Sequence, residues 1–355
     1  MMWSESDVRS GSEGSAPRRC GELHIKGGEI MRILKWLVTA LVLVVLFGGS
    51  GFGAPLELKF GHVGAPGSLF DLSANEFAKR ANAKLGDKAK VVVFGSSQIG
   101  KDEELMQKLK LGTVDLALPS TVMSSLVDVF GLFELPYLVK SRAHMRKIRD
   151  GVFWEKLAPA AEEKGYKVLA VWENGFRQIT NNARPINVPE DLKSIKLRVP
   201  KGVWRVKMFQ AYGANPTPIA LSEVFVALQT NVIDGQENPL AQIASQKFQE
   251  VQKYLSLTEH VYTPAFVTAG TGRWEKLPKD VRKILENTAK GMQEFVYATA
   301  EKLDKDLLKE LSATMKVNTA NKEAFIKASG AIYDEFGATV PGGKELIERV
   351  KKLAK

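Results

Sequence analysis

From Leu56 onward the chain switches between two periodicities, and their order limits the folds open to it. Leu56-Glu57-Leu58-Lys59-Phe60 alternates apolar and polar side chains, the period of a half-buried strand. Glycines and a proline in 61–68 mark a loop, after which Leu69, Leu72, Phe77, Ala81 and Leu85 recur at helical spacing. Val91-Val92-Val93-Phe94 is a continuous apolar run suited to a buried parallel strand. Residues 102–111 read as a helix stopped by Gly112, and Asp115-Leu116-Ala117-Leu118 as a third strand. The order β-α-β-α-β predicts a parallel sheet with helices on both faces. Ligands of such sheets bind beyond the carboxyl ends of the strands, here 62–68, 95–100 and 119–121.

A second α/β unit follows. Residues 168–171 predict a strand leading into Trp172-Glu173-Asn174-Gly175-Phe176-Arg177, and Pro189-Glu190-Asp191 a helical turn. Ile195-Lys196-Leu197-Arg198-Val199 alternates, with Arg198 on the face opposite Ile195, Leu197 and Val199. Helices are expected over 204–212 and 223–229, and a strand over Val232-Ile233-Asp234 ending at Gly235. Apolar positions from Val281 to Leu307 keep one helical face, and thirty residues at ~1.5 Å each would span roughly 45–50 Å, enough to bridge two domains. With 355 residues the chain has length for two cores.

The first 53 residues are expected to be an address and not part of the fold. Residues 1–29 carry no apolar period; then Met31-Arg32-Ile33-Leu34-Lys35 supplies basic charge ahead of a 12-residue apolar core, 36–47, and a small-residue exit. That core is too short to span a bilayer, which takes about 20 residues. Translation is expected to start at Met31 and the exported chain near Ala54, after cleavage at Gly53. Cys20, the only cysteine, precedes the apolar core and so cannot be a lipid acceptor following it. Removing residues 1–53 takes away six basic and five acidic residues, so +9 of the formal +10 charge stays with the rest. Fifty basic residues against 40 acidic ones make a mixed surface that suits small acidic molecules, and no Lys/Arg cluster with interleaved aromatics argues for nucleic acid.

The motifs of enzymes are incomplete. Gly95-Ser96-Ser97-Gln98-Ile99-Gly100-Lys101 satisfies GxxxxGK, but Asp102 stands where a hydroxyl must meet Mg²⁺, so a strand-to-helix turn capped by Asp102 is favoured. His24, His62, His144 and His260 lack metal-ligand spacing, and no G-x-S-x-G elbow occurs. No metal, cofactor or catalytic set is expected. The notable side chains are Arg198, Arg177 and Asn238. A guanidinium offers a fixed fork of donors that fits a carboxylate, which Lys does not reproduce. On pattern alone an Arg on a strand, such as Arg198 or Arg177, is more often a surface ion pair, and Asn238 a turn residue. His62, Gln98 and Ser120 lie at the expected strand ends, while Trp172 and Trp204 suit either a pocket wall or the core.

Several segments together resemble one family. Gly175-Phe176-Arg177, Arg184-Pro185-Ile186, Pro189-Glu190-Asp191-Leu192 and Lys196-Leu197-Arg198-Val199 come in its order. So do Gly213-Ala214-Asn215-Pro216-Thr217-Pro218, Glu223-Val224-Phe225-Val226-Ala227-Leu228-Gln229 and Asp234-Gly235-Gln236-Glu237-Asn238-Pro239, with Ser97-Gln98-Ile99-Gly100 and Leu135-Pro136-Tyr137-Leu138 upstream. The chain resembles the dicarboxylate-receptor-like substrate-binding proteins of tripartite ATP-independent periplasmic (TRAP) transporters, departing from them at Thr230-Asn231, where Thr-Gly is usual.

The resemblance implies an α/β, two-lobed periplasmic-binding-protein fold of type II-like form, with hinge strands and a long bridging helix. Lobe one would be 54–174 plus 264–303, and lobe two 175–263 plus 304–355. It implies Arg198 as the carboxylate anchor, Arg177 as the second arginine and Asn238 as the positioning amide. The implied partners are a small carboxylate ligand and two membrane subunits, a small four-helix protein and a large permease; a monomer is expected. The solute receptor of an ATP-driven importer and an exported hydrolase stand as alternatives.

Overall fold

The computed structural model describes residues 55–354, together with Gly28, Met31, Arg32, Lys35 and Trp36. The rest of the expected leader, the Gly53/Ala54 junction, Cys20 and His24 lie outside the described residues. Among the described residues no helix is long and apolar enough to cross a membrane.

Among the described residues ten strands form the sheet framework. β1 (Leu56–Gly61) pairs in parallel with β2 (Ala89–Phe94) and β3 (Leu116–Ala117), as the βαβ pattern predicts. The helices Leu69–Leu85 and Asp102–Leu111 lie between them in sequence. The sheet as a whole is mixed and not all parallel. β9 (Tyr262–Gly270) runs antiparallel to β3 and to β4 (Tyr166–Asn181). β4 pairs with β9 as far as Phe176 and with β7 (Gly235–Pro239) from Arg177. β7 then pairs in parallel with β5 (Lys196–Val199), and β5 with β6 (Asn215–Pro218). β8 (Tyr254–Leu257) joins the end of β4 and carries β10 (Lys316–Thr319). The fold is thus two-lobed, with β4 and β9 crossing between a β2-β1-β3 half and a β7-β5-β6 half.

Three expectations are corrected. The strand expected over 168–171 continues through Arg177 to Asn181, because Gly175 absorbs the change of partner: it sits at φ +126° beside a bulge, and a Cβ there would meet Pro239 at 3.2 Å. The strand expected to end at Gly235 instead begins there. The Asp234 carboxylate accepts the Lys196 N–H at 2.8 Å, and Gly235 presses against β4 so closely that a Cβ would lie 2.4 Å from the Thr180 carbonyl oxygen. Asn238 is therefore a strand residue and not a turn residue.

The long helix is two helices, Lys279–Gly291 and Gln293–Ser312, broken at Met292. An unbroken helix would bond the Gln293 N–H to the Ala289 carbonyl. Here the Trp172 indole N–H donates to that carbonyl at 2.9 Å, and the Gln293 side chain turns to the Val171 carbonyl at 3.1 Å. The second helix still touches both halves, through the helices Leu69–Leu85 and Leu240–Ser245. Trp172 itself is fully buried and meets Phe77 edge-on at 5.9 Å, with Phe60 and Phe77 in the same arrangement at 5.5 Å. Offset and edge-on aromatic contacts of this kind add roughly 0.5–1.5 kcal/mol each beyond area burial.

Candidate functional site

The alternation of β5 carries Leu197 and Val199 into the core and sends Arg198 the other way, to the carboxyl end of the parallel strands. The residue is nonetheless only 3% exposed. Nε donates to the Ile219 carbonyl oxygen at 2.7 Å, which fixes the fork, and neither Nη nitrogen has a hydrogen-bond partner among the described residues. Burial, with Arg177 nearby, lowers its pKa to about 9. A buried cation without a counter-charge is costly, and an anion placed against it recovers that cost.

Arg198 borders a cavity that both halves line. Val63, Phe70, Asp102, Ser120, Thr121 and Asn174 come from one side, and Arg177, Pro200, Ile219, Asn238 and Gln242 from the other. Four of the side chains singled out by sequence therefore meet in one place: Arg198, Arg177, Asn238 and Ser120. The other four do not. His62 is buried beneath Gly95, where an added Cβ would sit 2.8 Å from its ring, and Gln98 is an exposed turn residue whose N–H bonds to the Gly95 carbonyl. Trp172 belongs to the core described above. Trp204 stacks edge-on to Phe336 at 5.1 Å and fills the hollow over Gly131, where a Cβ would come within 2.3 Å of its ring.

Arg177 is not a free fork. Its Nε bonds to the Glu237 carboxylate, and Nη2 reaches the Glu237 carbonyl at 2.6 Å, Glu237 Oε1 at 2.9 Å and Asn238 Oδ1 at 3.1 Å. That leaves Nη1 as its remaining donor. Asn238 is committed as well, since its Nδ2 donates to Gln236 Oε1 at 2.6 Å. Behind them Glu237 also accepts from Arg205 Nη1 at 2.7 Å and meets His260 Nε2 at 3.0 Å, while Arg205 pairs with Glu134 at 2.7 Å. Burial pushes the Glu237 carboxyl up, but Arg177 and Arg205 outweigh it and hold the group well below the carboxylate range. His260 is pushed down to about 4 by burial and stays neutral.

This charged group was not anticipated. Glu237 lay inside a recognised segment, and the signal for Arg205 was present: it shares a helical face with Met208, Phe209 and Tyr212, all buried, so a charge there demanded a buried partner. Asp102 is not the helix cap but the first residue of the helix. The Glu104 carboxylate accepts the Lys101 N–H at 3.1 Å and caps the helix, so Asp102 is free to border the cavity. Burial and Glu103 raise its pKa to about 7, with Arg198 opposing. The GxxxxGK segment is a tight turn with Ser96 and Ser97 at positive φ, and its Lys101 pairs with Glu223 at 2.6 Å. No group of side chains suited to a metal ion occurs among the described residues.

Residues 60–339 match the bacterial extracellular solute-binding protein family 7. The 2,3-diketo-L-gulonate-binding periplasmic protein YiaO of Escherichia coli is 31% identical over 84% of this chain and 93% of its own length. Among solved structures, the sugar acid binding protein DctPAm of Advenella mimigardefordensis, in complex with galactonate, superposes with a TM-score of 0.81 at 34% identity, covering 84% of this chain and 98% of that one. A TRAP periplasmic solute-binding protein from Sulfurospirillum deleyianum with bound succinate gives 0.80 at 35% identity, covering 85% and 100%.

Proposed function

Because the chain belongs to family 7 of the bacterial extracellular solute-binding proteins, we propose that it is the solute receptor of a TRAP transporter, capturing a small organic acid by its carboxylate. The observation that carries this reading is Arg198, a buried residue whose two Nη donors have no hydrogen-bond partner among the described residues, at a cavity shared by both halves. The carboxylate docks bidentately on that fork, and Arg177 Nη1 adds a donor from the same half. Hydrogen bonds to charged groups contribute ~1.5–3 kcal/mol each, whereas micromolar binding needs about 8 kcal/mol. The remainder comes from the opposite wall, through Ser120, Asn174, Val63 and Phe70. Those contacts exist only with the cavity shut, so the ligand favours the closed form by that difference.

The moving lobes in this reading are 54–174 with 264–303 and 175–263 with 304–355. The exchange of strand partners in β4 around Gly175 supports the first boundary. The receptor works in the periplasm after losing its leader at Gly53/Ala54 and passes its cargo to a small four-helix subunit and a large permease, the chain itself performing no chemistry on it. A thermal-shift screen against organic acids, sugars, amino acids and metal ions tests the assignment. Stabilisation confined to carboxylates supports it; stabilisation by neutral sugars or metals alone, or turnover of a hit, overturns it. N-terminal sequencing of the exported protein checks the cleavage point.

A further inference from the structure

The cavity that Arg198 borders is rich in buried side-chain oxygens without partners among the described residues. The Ser120 hydroxyl gives its proton to the Pro264 carbonyl oxygen at 2.7 Å, so it accepts from Asn174 Nδ2 at 3.3 Å. That fixes the Asn174 amide and leaves its Oδ1 buried with no partner among the described residues. Gln242 Oε1 and Thr121 Oγ1 are buried in the same state. All three side chains border the cavity and are 6%, 3% and 6% exposed, respectively. Asp102 adds a carboxylate with neither an ion pair nor a hydrogen bond among the described residues. The neighbouring Glu103 and Lys201 answer each other at 3.3 Å, and the charge of Arg177 is answered by Glu237.

The balance of charge follows. Among the described cavity-lining residues, Arg198 and Asp102 are in no contact ion pair and feel each other's charge only through space. A single ligand carboxylate satisfies Arg198. A second carboxylate would bring negative charge beside the Asp102 carboxyl and would leave the Asn174 and Gln242 oxygens without donors. Hydroxyl groups behave oppositely: each donates to an orphaned oxygen and accepts from whatever donor remains, and several along a chain reach several residues. One ammonium would satisfy Asp102 but not the separated amide and hydroxyl oxygens.

Resting on the carboxylate-receptor reading above, we propose that the ligand is a polyhydroxylated monocarboxylate of the aldonate type, and that Asp102 is the residue that discriminates against a second carboxylate. Calorimetry on the exported chain provides the test. Affinity should rise along butyrate, 3,4-dihydroxybutyrate and erythronate, about tenfold per step, and six-carbon aldonates should bind at least 100-fold more tightly than succinate or malate. Asp102→Asn should narrow the aldonate-to-dicarboxylate ratio by tenfold or more, and the ligand series needs no variant to read. Succinate or γ-aminobutyrate binding as tightly as the aldonates overturns the inference while leaving a carboxylate receptor intact. An unchanged ratio in Asp102→Asn removes Asp102 from the selection. Failure of every carboxylate to bind overturns instead the reading on which the inference rests.

Discussion

Lys101 and Glu223 join the two halves at 2.6 Å, and Glu103 and Lys201, which border the cavity, make a second contact with the charges reversed, at 3.3 Å. All four side chains are partly exposed, so these contacts matter little to folding. They form between elements that separate when the cavity opens, so they bias the closed form. Lys101→Glu should weaken ligand binding roughly threefold at low salt, and Lys101→Glu with Glu223→Lys should restore it. Calorimetry at two ionic strengths reads this. Equal affinities for parent and single variant would contradict the bias.

Glu237 holds two buried arginines and His260 at once, and truncating such a hub leaves uncompensated charge. Glu237→Gln should cost about 3–5 kcal/mol of stability in urea unfolding. A loss under about 1 kcal/mol would show that Arg177 and Arg205 find other partners.

His62 provides the acid-side dependence. It is 1% exposed, and neither ring nitrogen has a partner among the described residues. Burial lowers its pKa from 6.5 to about 4, with Asp71 opposing. The unfolded chain therefore takes up this proton first. The group's contribution is complete above pH 6.5 and is lost as the pH falls toward 4. Between pH 7.5 and 4.5 the parent should lose about 2–3 kcal/mol more than His62→Gln. A stability difference that stays constant over that range would show that the ring does not titrate in this window.

The sequence made the βαβ start, the face of Arg198 and most helix positions legible, because each rests on a local period. It was silent where long-range contacts decide. Only the partner of β4 shows that Arg177 lies within a strand and is bound by Glu237. The break at Met292 depends on an indole more than a hundred residues away. Trp172 and Trp204 have the same character in sequence whether they line a pocket or a core, and only packing against Phe77 and Phe336 distinguishes the two. Asp102 satisfied a capping rule that Glu104 fulfils instead, which hid its place at the cavity.

The central claim is that the planar fork of Arg198 anchors the ligand, and Arg198→Lys tests it while keeping the charge. Isothermal titration of the tightest-binding carboxylate should show a loss of tenfold or more with the melting temperature of the unliganded protein little changed. Affinity equal to that of the parent would mean that the cargo is held elsewhere.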